Sequence, residues 1–233
     1  MSIFSINSSL VCVIMIKMEI KLNIANSQKI FSEEDCKKIK NGIMRAKEYA
    51  APKLKIAEDI DIVVAPDLQD FLIPEDHLGA FTYNGNFIII SFAKGHVNEA
   101  LVYEVTCHEL CHAARWQKNK EDMKNLFDGM ILEGLAVCFE EQAVKNQKNK
   151  QFFLQTMLER SDQENAEILK HVGNDLDKNR YDYFTFENKE RNIPRWTGYS
   201  VGYYLVKKYL AKTEKTIDEI FAEPFDNFRI ILQ

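Results

Sequence analysis

The chain has 233 residues, 46% of them hydrophobic and 28% charged, with a formal net charge of −5. That length can bury a sizeable core, and the composition excludes a disordered or fibrous chain. The acidic balance argues against a nucleic-acid partner, because phosphate contacts need clustered Lys and Arg, and the Lys-rich KNQKNK stretch alternates with amides.

Leu10–Ile16, LVCVIMI, is apolar but far too short to span a membrane, so no stable membrane insertion is expected. No basic residue precedes it and no small-residue cleavage site follows, which argues against a secretory signal. The alternation of KMEIKLNI begins just after it. Residues 1–17 therefore read as an extension with the natural start at Met15 or Met18, the alternative being an extra strand. Residues 18–233 read as a single unit, with an α+β half (18–118), a helical half (119–233) and a cleft between them.

Ser32 and the acidic residues after it open a helix that should run to about Ala50 and stop before Pro52. IDIVVAP is a strand closed by proline. GAFTYNGNFIIISF reads as a hairpin, with Asn84-Gly85 supplying the positive φ angles of a tight turn. Asn98 caps a helix from about Glu99 to Gln117. Asp128 is expected to cap a second, GMILEGLAVCFEEQAVKN. A polar, helical stretch runs to about Asp177, YDYFTFENKERNIP is irregular, and RWTGYSVGYYLVKKYLAK forms a last long helix.

The chemistry concentrates in CHELCH, Cys107 to His112. Leu101, Val105, His108 and His112 form one helical stripe, so both histidines share the inward face. Imidazoles four residues apart lie about 40° apart around the axis and can reach one ion. Glu109, offset by one residue, sits where it can take a proton from a metal-bound water. A catalytic zinc needs a third protein ligand and an open position. Glu133, in LEGLA, comes far enough after His112 for one helix to end and the next to return alongside, and Gly134 permits close helix approach. Glu140, about two turns further on, competes for that place or holds a histidine's other nitrogen. His108, His112 and Glu133 are thus the expected ligands of one Zn2+ per chain.

Cys107 and Cys111 are rotated about 100° from the histidine face and, with Cys138, read as small core residues. The five cysteines, Cys12 and Cys36 included, lack disulfide-framework spacing, which suits a reduced, cytoplasmic protein. His77, His96 and His171 read as isolated surface residues. Tyr199 and Tyr203 lie i, i+4 in WTGYSVGYYLV, where a phenol opposite a metal would steady an oxyanion; aromatic core packing is the competing reading.

With HELCH, EGLA and GYSVGY in view, the chain resembles the YjaZ-like family of predicted zinc-dependent proteases, of gluzincin type. The likeness covers about Ala80 to Leu210, in order, and the first 60 residues carry no match. It implies a zincin-like fold with a small mixed sheet beside the active-site helix. It also implies a metalloprotease activity on peptide or protein substrates, and Tyr199 or Tyr203 near the metal, the choice left open. In zincins the peptide runs along a sheet-edge strand, for which Phe87–Ser91 is the candidate. The competing function is a zinc-binding sensor or interaction domain without turnover.

Overall fold

A four-stranded mixed sheet in the order β1-β2-β4-β3 organises the first half of the chain. The computed structural model describes residues 18–68, 72–120, 122–185 and 187–233; the expected extension at 1–17 lies outside the described residues. Strands β1 (Ile20–Ile24), β2 (Ile60–Pro66) and β4 (Phe87–Phe92) run parallel, while β3 (Leu78–Asn84) pairs antiparallel with β4. Parallel neighbours need a crossover, and helix α1 (Glu33–Leu54) supplies it between β1 and β2. Residue alternation separates the two faces of the sheet. Ile60, Ile62, Val64, Ile88 and Ile90 are fully buried, with α1 and α2 (Glu99–Lys118) packed on the sheet, whereas Asp61, Phe81 and Tyr83 are exposed.

Helix α1 runs one turn past its expected end, with Pro52 inside it. Only one backbone bond is lost near the helix end, and the extra turn buries Leu54 completely before Lys55 caps it in the left-handed conformation. The β3–β4 hairpin forms where expected, but neither Asn84 nor Gly85 has positive φ. The Asn84 side chain closes the turn by accepting from Asn86 N at 2.8 Å, and a bulge between Thr82 and Asn84 takes up the misfit. Gly85 is needed for proximity: a Cβ there would lie 2.9 Å from Gln117 of α2.

Phe87–Ser91 is not an edge. It belongs to β4, flanked by β2 and β3, as expected physically for a strand apolar on both faces. Among the described residues, the strand beside α2 with an open side is β3, which beyond its pairing with β4 is bridged only at Leu78, by Ile73.

Helix α3 (Leu126–Ala143) starts earlier than expected. Its cap is Asn125, whose side chain accepts from Asp128 N at 2.9 Å, while Asp128 Oδ2 accepts from Lys124 N at 3.0 Å. Asp128 therefore sits in the first turn and supports the cap from within. Short helices α4 (Phe152–Glu159) and α5 (Asp162–Val172) follow, divided at Ser161, whose side chain caps α5. The irregular stretch contains one helical turn, α6 (Asp182–Thr185), and is tied down by Asp175, which accepts from Lys178, Tyr183 and Arg191. Helix α7 (Thr197–Thr213) crosses α3, and a further turn, α8 (Ile217–Ile220), and a 3-10 segment (Phe225–Ile231) complete the chain. The architecture is α+β, with a small mixed sheet and a helical second half. Among the described residues no helix is long and apolar enough to cross a membrane.

Candidate metal centre

Asn98 accepts from Ala100 N at 2.9 Å and starts α2 in the register that points His108 and His112 inward. Glu133 arrives from α3. The three side chains converge: His108 Nε2 lies 3.1 Å from His112 Nε2 and 3.4 Å from Glu133 Oε2, and His112 Nε2 lies 3.2 Å from Glu133 Oε2. Donors bound at zinc distances in tetrahedral geometry stand about 3.3 Å apart. All three separations meet that requirement, so the donor set fits a zinc ion, and it is the one such His/Cys/Asp/Glu group among the described residues.

Glu140, two turns along α3, accepts from His108 Nδ1 at 2.8 Å. In the neutral imidazole that bond favours the proton on Nδ1 and leaves the Nε2 lone pair for a metal. Burial opposes a charge on His108, but Glu133 and Glu140 beside it outweigh that and hold its pKa well above the ordinary value. Burial likewise opposes the Glu133 carboxylate, yet the neighbouring histidines draw its pKa down to about 2. The two shifts are reciprocal, since a positive imidazole and the Glu133 carboxylate stabilise each other in the place that a cation would take.

Behind Glu140 lies a buried carboxyl that the sequence reading did not single out. Glu104 is fully buried, and burial beside Glu140 pushes its pKa up to about 9. The charge of each carboxyl disfavours ionisation of the other, which favours a proton on one of them. Glu104 also accepts from Gln151 N and Gln147 Nε2, each at 2.9 Å, and Gln151 Nε2 reaches Glu140 at 3.4 Å. A signal was present for Glu104: it sits one turn before His108 on the inward stripe. Gln151 carried none. Asp76 accepts from the amides of Phe152 and Phe153 and so anchors the start of α4, where Phe153 packs 6.2 Å from His108 and 4.9 Å from Tyr199.

A cavity of about 570 Å³ opens over the cluster, lined by His108, Glu109, His112, Glu133, Tyr199 and residues 80–83 of β3. Tyr199 is wedged edge-on between Phe153 and Phe184, and burial with the charges of Glu133 and Glu109 raises its pKa well above the ordinary phenol value. Its hydroxyl stays a donor. Tyr203 does not line this cavity; it lies by Glu141, with the Lys207 ammonium 5.5 Å from its ring centroid. The structure therefore brings five of the six expected residues together and separates Tyr203 from them.

Cys107, Cys111 and Cys138 are buried free thiols away from the donor set. His77 and His96 are exposed, but they are not isolated, because their rings stack 3.7 Å apart.

Fold and site together define an α+β protein with two histidines and a glutamate grouped, at the base of a cleft, as a metal ion would require. A family model described as "Predicted Zn-dependent protease (DUF2268)" matches residues 38–229, and the chain belongs to that family. The match reaches into the N-terminal region, where the motifs offered no resemblance. No curated protein and no solved structure matches the chain.

Proposed function

We propose that this chain is a zinc metallopeptidase, holding one Zn2+ through His108, His112 and Glu133 and using Glu109 as general base. The observation that carries the reading is Glu109 itself, a carboxylate in the same cavity as a three-donor cluster. A purely structural zinc is closed by four protein donors and has no use for such a base. When bound, zinc supplies an acidified water and polarises the scissile carbonyl.

The protein's own groups do the rest. Glu109 accepts the water's proton on its carboxylate and later delivers it to the departing amine. Tyr199 donates its hydroxyl to the oxygen on which negative charge grows. Glu140 holds His108 in the tautomer that ligates. The substrate is an extended segment of peptide or protein laid along the open side of β3, with the exposed aromatics Phe81, Tyr83 and Trp116 around the cavity as apolar contacts. Residues 18–233 act as one catalytic unit, since both halves contribute side chains to the site. Buried free thiols suit a reducing, cytoplasmic setting.

The test is Glu109→Gln, which keeps the shape of the side chain and removes its basicity. Zinc content should stay at one per chain, while hydrolysis of an unfolded substrate such as casein falls at least about 100-fold. An active variant overturns the assignment of the base. A zinc-loaded wild type that cleaves no peptide would favour a non-catalytic zinc-binding domain.

A further inference from the structure

We infer that Thr82 is a positioning residue for Glu109, holding the carboxylate of the base from the strand that walls the cleft. The inference rests on the reading of Glu109 as general base. Thr82 Oγ1 donates to Glu109 Oε2 at 2.7 Å and lies 3.0 Å from the Glu109 backbone carbonyl. The hydroxyl has one proton, and the shorter bond, to the carboxylate, is the stronger claim on it. The backbone contact locates the hydroxyl over its own target residue, so the carboxylate is gripped close to the helix that carries it.

The strand is shaped for this contact. Thr82 is 8% exposed, while its neighbours Phe81 and Tyr83 are 51% and 64% exposed. A single polar side chain is thus turned inward from an otherwise outward-facing aromatic pair. The bulge between Thr82 and Asn84 falls at the same place, and bulges re-aim side chains.

A glutamate on a helix surface has several rotatable bonds, and a base must be held near one geometry to act. With Oε2 tied to Thr82, Oε1 has no hydrogen-bond partner among the described residues. One oxygen is anchored and the other is left to exchange a proton. Because β3 also borders the cavity, a peptide pairing with that strand would load the element that orients the base.

Thr82→Val removes the hydroxyl and keeps the shape, whereas Thr82→Ser keeps the hydroxyl and removes a methyl. In zinc-loaded protein, Thr82→Val should keep its metal and its KM and lose about 10- to 100-fold in kcat, a part of what a general base supplies. Thr82→Ser should recover kcat to within about threefold. Crystal structures of zinc-loaded wild type and Thr82→Val should show the Glu109 carboxylate displaced in the variant. Unchanged kcat, or a loss in Thr82→Ser equal to that in Thr82→Val, overturns the inference. If Thr82→Val does not fold, failure of Thr82→Ser to match wild-type kcat with normal zinc content overturns it as well. If wild type cleaves no peptide, the peptidase reading falls. The carboxylate position then decides alone: displaced in Thr82→Val supports the tether, and in place refutes it.

Discussion

Gly134 of α3 and Gly202 of α7 touch backbone to backbone: a Cβ built on Gly134 would lie 2.3 Å from the Gly202 carbonyl carbon, and one on Gly202 would lie 1.9 Å from Met130 O. The close approach that Gly134 was expected to allow is thus made with α7 rather than with α2. The crossing places Glu133, adjacent to the contact, in the same cavity as Tyr199, one turn before it.

Adding one methyl at that crossing should therefore damage both stability and the site. Gly134→Ala must push α7 away from α3, and overpacking of this kind costs about 1–3 kcal/mol or more. A fall in Tm of several degrees, with weakened zinc binding, is expected in thermal melts followed by metal analysis. A melting curve unchanged from wild type would mean that the two helices slide without loss.

Metal content separates the ligands from their supports. Wild type purified without added zinc should carry one per chain, and Glu133→Ala should lose it on dialysis. Glu140→Gln, which changes the partner of His108 Nδ1 while keeping the side chain's shape beside Glu104 and Gln151, should retain zinc with about 10- to 100-fold weaker affinity. Competition with a chromogenic chelator measures both. Equal affinities in wild type and Glu133→Ala would move the third ligand elsewhere.

The two tyrosines should differ sharply. Tyr199→Phe removes a donor from the cavity and should lower kcat about 100-fold, the usual effect of losing one oxyanion contact. Tyr203→Phe should leave kcat within about twofold, because its hydroxyl lies toward Glu141. Steady-state kinetics on one peptide decides between them, and the reverse order would contradict this placement.

Glu104 gives the fold a pH dependence. Its carboxyl ionises near its ordinary pKa when unfolded but stays protonated to about 9 in the fold. Between those values the native state binds more protons than the unfolded one, so stability falls as pH rises. Glu104→Gln cannot ionise and should flatten that slope. Relative to wild type it should gain at pH 8–9, where each 1 kcal/mol is worth roughly 2–4 °C in Tm. Parallel Tm–pH lines for the two proteins from pH 5 to 9 would show that Glu104 does not titrate in this way.

Much of the site was legible because its spacing is local. His108, Glu109 and His112 share a helix whose period is known, and Glu133 follows at the distance a helical hairpin requires. The choice between Tyr199 and Tyr203 was not legible. Residues four apart share a helix face, and only the Gly134–Gly202 crossing decides which one meets the cavity. Strand order was equally hidden, since FIII reads as apolar on both sides without saying which neighbours cover it. Thr82 left no mark, because a threonine between two aromatics is what any strand contains. Asp128 misled by resembling a cap that Asn125 provides, for both residues favour helix starts and only the backbone decides which precedes the first turn.

The three candidate metal donors lie within α2 and α3, while Thr82 comes from a strand before them and Tyr199 from a helix long after. Order of synthesis follows from this. His108, Glu109, His112 and Glu133 are all made once α3 is out, whereas Tyr199 joins them only when α7 docks. On the function proposed above, a chain that stops before α7 would keep the three donors and the base and lack the Tyr199 hydroxyl.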